Sequence, residues 1–364
     1  STVPGSILNS STFQNIGLIT LGNVTANSLT HDRNITGRDW NGNYGEVILY
    51  DAALSNNARN LIEQYQSAKW GIALTPPGSG ATEAAQATAS IQKGDAVDGY
   101  SAFTTRYLER LSQSANISLQ SSNNITLDLQ GDTLNFATSG RSLTLTAGNQ
   151  ITTASTGTIT TNNGNISMTA TSGILFNNAV ALNTNGGNIT LNSPVTLGAN
   201  VTLNSGTGTT TVNTVNGNVA GTRNLTVTAG TITLNSAIGS TTALGALSLT
   251  ATNSLTLPSI TAASINIQTT AATADISSTT PKITATGAGG ITLNSARDIN
   301  LSTTGLDTST SNGPISITAV GTANLAPIST GTGNLTITAN NVNLYGADIA
   351  SGLVSSWSFD EGSG

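Results

Sequence analysis

The chain has 364 residues and a net charge of −6, with 8% charged and 4% aromatic residues and no Cys; Thr fills 62 positions and Asn 41. Eleven scattered Lys and Arg exclude a basic nucleic-acid binder, and the lack of Cys excludes a disulfide framework or a zinc–thiolate site. So little charge is wrong for an ordinary disordered tail, and no apolar run approaches the ~20 residues of a membrane-spanning helix, which leaves a β-rich chain long enough for two or three domains.

Residues 1–72 carry two of the three Trp and the single His. In GEVILYDAALSNNARNLIEQYQSAKWGI (Gly45–Ile72), Glu46 to Tyr50 read as a strand, Ser55 stands at a helix N-cap, and Leu61, Ile62, Tyr65 and Ala68 share one helical face. This passage resembles the C-terminal strand and helix of laminin-G-like, concanavalin-type jelly rolls. The resemblance implies a partial β-sandwich over 1–72 in which Val47, Leu49, Tyr50 and Trp70 line an open edge. Relatives of that fold often bind calcium, and Asp32, Asp39 and Asp51 are the oxygen ligands offered here; no other cofactor is required. His31, alone on a polar loop, reads as a surface histidine.

Residues 73–114 open with Pro76-Pro77-Gly78-Ser79-Gly80, a linker, and then turn helical. Phe103, Tyr107, Leu108 and Leu111 fall on one helical face, while Arg106, Glu109 and Arg110 point elsewhere. This helix is expected to cap the first coil of the segment that follows, since an open solenoid end presents a bare strand edge.

From 115 to 350 the sequence repeats short alternating strands such as Leu143-Thr144-Leu145-Thr146, Ile166-Ser167-Met168-Thr169 and Leu335-Thr336-Ile337-Thr338, separated by Gly, Asn and Ser. Alternation of period two makes one face aliphatic and the other polar. Leu143, Ile166 and Ile189 recur every 23 residues, Leu225 and Leu247 are 22 apart, Ile291 and Ile315 are 24 apart, and Ile315 and Leu335 are 20 apart. Such a period marks a solenoid. A β-sandwich array would call for longer strands and larger aromatic core residues, whereas strands of three to five residues and an Ile/Leu/Val core favour a parallel β-helix with Asn ladders at its corners. The expected fold is therefore all-β: a parallel β-helix (solenoid) rod, with a partial β-sandwich (jelly roll) at the N-terminus and a short helical linker or cap. At ~21 residues per coil and ~4.8 Å per step, the rod holds ~11 coils over ~50 Å. GNISMTATSGILF (Gly164–Phe176), GGNITLNSPVTL (Gly186–Leu197), RNLTVTAGTITLNS (Arg223–Ser236) and GNLTITANNVNL (Gly333–Leu344) resemble the filamentous-haemagglutinin-type repeats of large bacterial surface adhesins.

The tail, residues 351–364, ends in GLVSSWSFDEGSG (Gly352–Gly364), which resembles the first strand of the laminin-G-like fold. The end of that fold thus comes first in the chain and its beginning last. One expectation is that Leu353, Val354, Trp357 and Phe359 form a donor strand that completes the 1–72 sandwich of the next copy, giving a head-to-tail filament. The other is that the segment joins neighbouring domains of a longer chain.

Between Asn116 and Ala350 there is neither Glu nor His, and the best acid–base pair is Arg297 beside Asp298, read as a solvated turn. Asn-x-Ser/Thr triplets at Asn124, Asn165, Asn188, Asn224 and Asn334 follow from turn Asn preceding strand Thr, rather than from selection for glycosylation. The resemblances imply a non-enzymatic, extracellular or cell-surface protein. It would be a subunit or segment of a filament, sheath or matrix whose partners are copies of itself; alternatively it is an adhesin whose jelly roll binds glycans or host proteins on a β-helix stalk.

Overall fold

The computed structural model describes residues 90–91, 103, 105–278 and 282–345. The chain divides into two compact units, Ser1–Thr88 with Gly94–Leu108 and Ala89–Lys93 with Glu109–Gly364. In the first unit, the rings of Phe103 and Tyr107 stack with centroids 6.0 Å apart, and Tyr107 and Leu108 are buried. Tyr107 and Leu108 belong to the helix Thr105–Ser112, whose last turn carries Arg110, a cation at the end where the helix dipole favours one.

The second unit is a parallel β-solenoid of about ten coils. Each coil passes through three faces, and every described pairing between strands is parallel, one coil to the next. The first face begins with Ile117–Ser121, Leu143–Ala147 and Ile166–Ala170 and ends with Thr322–Leu325 and Asn341–Leu344. The second begins with Ile125–Leu127 and Ile151–Thr153, and the third with Thr133–Phe136 and Gly157–Thr161.

The period-two pattern explains why the sheet rolls up. On the third face Leu134, Ile159, Leu182, Leu203, Val227, Leu249, Ile267, Leu293, Ile317 and Ile337 stand in register, one per coil. A second column on the same face runs Val180, Val201, Leu225, Leu247, Ile265, Ile291, Ile315, Leu335. The second face has its own column, which passes through Ile125, Ile151, Ile174, Val195 and Val215 and then Ile238, held by isolated bridges to Val215 and Ile260. Nearly all of these side chains are buried. The short strands supply one or two inward aliphatics each, and every buried one contributes ~1.5–3 kcal/mol against the ~1–2 kcal/mol per residue of backbone ordering.

The spacings read from the sequence are true registers: Leu143 pairs with Ile166 and Ile166 with Ile189, Leu225 pairs with Leu247, and Ile291 pairs with Ile315 and Ile315 with Leu335. They lie on two different faces, the first triplet on the first face and the others on the third. Three details differ from the sequence reading. Strands Ile260–Thr269 and Lys282–Ser295 are far longer than five residues, because each runs unbroken from the second face onto the third. The coil step varies at the corners, from 26 residues between Ile117 and Leu143 to 18 between Leu247 and Ile265. Finally, a two-residue strand Ser90–Ile91 pairs in parallel with Ser118 and Leu119, placing one more strand on the first face ahead of the helix.

The corner between third and first faces is built from a hydroxyl and a glycine. Thr161 Oγ1 donates to the Gly164 carbonyl at 2.5 Å, and Thr184 and Ser205 repeat the bond to Gly187 and Gly208. These glycines stack so closely that a Cβ on Gly187 would lie 2.1 Å from the Gly164 carbonyl oxygen. Only glycine fits that column.

Candidate interaction surface

Each face turns its polar residues outward, and what those residues do differs from face to face. The position just before the first inward residue of the first face carries a side chain whose oxygen accepts a backbone N–H from the next coil. Asn116 accepts from Ser142 at 3.1 Å, Ser142 from Asn165 at 2.9 Å, Asn165 from Asn188 at 2.8 Å and Asn188 from Thr209 at 2.9 Å. The same ladder resumes with Ser254, Asp275 and Asp298, which accept from Asp275, Asp298 and Thr322. The expected Asn ladders therefore exist, in this corner as side chain to backbone. An amide-to-amide ladder also forms outward on the first face, where Asn324 Nδ2 donates to Asn300 at 2.6 Å and Asn343 Nδ2 to Asn324 at 2.8 Å.

Arg297 and Asp298, the pair singled out from the sequence, belong to this ladder. Arg297 reaches back one coil and grips the Asp275 carboxylate with Nε, at 2.6 Å, and with Nη2. That bond holds the Asp275 carboxyl below its ordinary range, against the opposing effect of partial burial. Asp307 behaves alike: burial pushes its carboxyl up, but the Lys282 ammonium at 2.6 Å and the Ser309 hydroxyl and N–H together outweigh it and bring it down. These acids are thus spent on bases and on backbone amides, an arrangement suited to joining coils rather than to moving a proton.

The amide oxygens of Asn124, Asn165, Asn188 and Asn224 are likewise engaged across coils. Among the described residues no group of three or more His, Asp or Glu is placed to hold a metal ion, and no helix is long and apolar enough to cross a membrane.

The third face is the outlier. Its outward positions make ten rows of two. They run from Thr133 and Asn135 through Thr158/Thr160, Ala181/Asn183, Thr202/Asn204, Thr226/Thr228, Ser248/Thr250, Asn266/Gln268, Thr292/Asn294 and Ser316/Thr318 to Thr336/Thr338. Nineteen of the twenty are Thr, Ser, Asn or Gln, and none is charged. Among these twenty side chains only Asn204 has a hydrogen-bond partner within the described residues, the Gly206 N–H at 3.1 Å. On the first face, by contrast, Asn192 bonds Thr169 and Thr256 bonds Ser277 in addition to the Asn300–Asn343 ladder. The sequence shows Thr on the wet side of the strands, but not which face keeps its hydroxyls free.

No family model, curated protein or solved structure matches this chain. The acceptor residues Val47, Leu49, Tyr50 and Trp70, the calcium candidates Asp32, Asp39 and Asp51, and the donor residues Leu353, Val354, Trp357 and Phe359 lie outside the described residues. Of the cap residues, Tyr107 and Leu108 are buried and Phe103 and Leu111 half-buried. The helix end is tied to the first coil where Glu109 Oε1 accepts the Asn135 N–H at 2.7 Å.

Proposed function

We propose that this chain is a non-enzymatic, exported structural protein, a segment of a cell-surface filament, sheath or matrix of the filamentous-haemagglutinin type. One observation carries the reading: an unbroken stack of coils whose inward columns are aliphatic and whose outward faces are polar and sparsely charged, a design for stiffness and spacing. The engagement of Asp275 and Asp307 by basic partners supports a non-catalytic role. In this reading Phe103, Tyr107, Leu108 and Leu111 close the first coil. The tail strand of Leu353, Val354, Trp357 and Phe359 completes the 1–72 sandwich of the next copy, so that the rods join head to tail and the assembly grows without closing.

Deletion of residues 351–364 tests the joint. Electron microscopy and light scattering of the full chain should show end-to-end polymers that the deletion abolishes and that a peptide of the tail sequence caps. Polymers that persist unchanged after the deletion would rule out strand donation. Specific binding on a glycan array by the otherwise monomeric chain would favour the adhesin.

A further inference from the structure

We propose that the third face is a lateral docking surface for a second copy of the same chain, seated face to face; this rests on the structural reading above and names the partner of its side wall. Three observations point there. The face is a long two-column array of hydroxyls and amides with almost no internal partners, so its hydrogen-bonding capacity is open to whatever lies against it. It carries no charge in any row, which gives an acidic peptide, a nucleic acid or an anionic membrane nothing to recognise. It also has no aromatic side chain in either column, the platform on which a sugar ring would stack.

The periodicity then selects the occupant. Rows one coil apart sit ~4.8 Å from each other. A partner that stays in step over ten such rows must have the same repeat, and another copy has it by construction. Mated sheets of identical short polar side chains form interdigitated interfaces about 10 Å apart, favoured by high β-propensity and low charge. The size suffices as well: ten rows of four-residue strand make a strip of roughly 48 Å by 13 Å, so two copies bury about 1,200 Å² in total, within the range of stable interfaces. Such a contact pairs a surface with itself about a two-fold axis and closes, so it would join rods side by side without using their ends.

Thr226 and Thr292 stand exposed in the fifth and eighth rows of the array. The test is sedimentation of the full chain across concentrations, as wild type, as the double variant Thr226→Lys with Thr292→Lys, and as the first-face control Thr233→Lys with Thr256→Lys. Circular dichroism checks that each folds. Like charges brought together across the contact should raise the dissociation constant of the pair at least ~10-fold, with the control unchanged. The Cys-free chain allows a second measurement: Thr226→Cys should be joined to itself by a short bismaleimide, whereas Thr233→Cys should not. Association that ignores the third-face lysines, with no cross-link at Thr226→Cys, overturns lateral docking while leaving end-to-end assembly standing. A chain monomeric at every concentration overturns both. A monomer that adsorbs through the third face to ice or to crystalline polysaccharide overturns the second copy as occupant.

Discussion

Asn165 Oδ1 accepts the backbone N–H of Asn188 at 2.8 Å, so that a side chain in one coil completes the hydrogen bonding of the coil above. Asn165→Ala removes the acceptor from an exposed position where water can replace it. The expected cost is ~0.5–1 kcal/mol, read as a lower urea midpoint with an unchanged m-value.

The glycine column is less forgiving. Gly187→Ala puts a Cβ against the Gly164 carbonyl, and both atoms belong to backbone held in register on either side. The coils must separate locally, and a loss of about 1–3 kcal/mol or more is expected, measurable as a fall in Tm.

Position along an aliphatic column should matter as much as residue type. Leu203 and Ile337 occupy the same third-face column, but Leu203 is fully buried mid-stack while Ile337 is half-buried in the last row. Leu203→Ala should cost about 2–5 kcal/mol and Ile337→Ala distinctly less, as urea titration of the two variants will show.

Acid should loosen the stack through its paired carboxylates. The folded carboxyls of Asp275 and Asp307 lie lower than in the unfolded chain, so the unfolded chain takes up protons first as pH falls. Their contribution is complete above the unfolded carboxyl range near ~3.9 and disappears as pH drops through the folded values. Asp275→Asn should therefore lose stability at pH 7, and the gap to wild type should narrow as the pH falls below the unfolded carboxyl range, as followed by thermal melts.

Much of the solenoid was legible because its aliphatic columns copy the alternation of the strands directly. The pairings of Leu143 with Ile166 and Ile315 with Leu335 can be taken from spacing alone. Face identity was not legible: the Leu-Thr-Leu-Thr stretch at Leu143 and the Leu-Thr-Ile-Thr stretch at Leu335 look alike, yet they sit on different sides of the coil. The long strand Lys282–Ser295 also eluded pattern reading, because Gly287, Gly289 and Gly290 have the composition of a turn while the chain there continues as strand around a corner. The free hydroxyls of the third face were hidden for a related reason. Whether Thr228 or Asn294 finds a partner depends on its neighbours one coil away, which no local window contains.

The variable coil step has a mechanical consequence. The 23-residue coil from Leu143 to Ile166 holds about 75 Å of chain when drawn straight, yet it adds only about 4.8 Å to the height of the stack. A tether under load that sheds one winding at a time would pay out slack in instalments more than ten times longer than the height it gives up, yielding before it snaps.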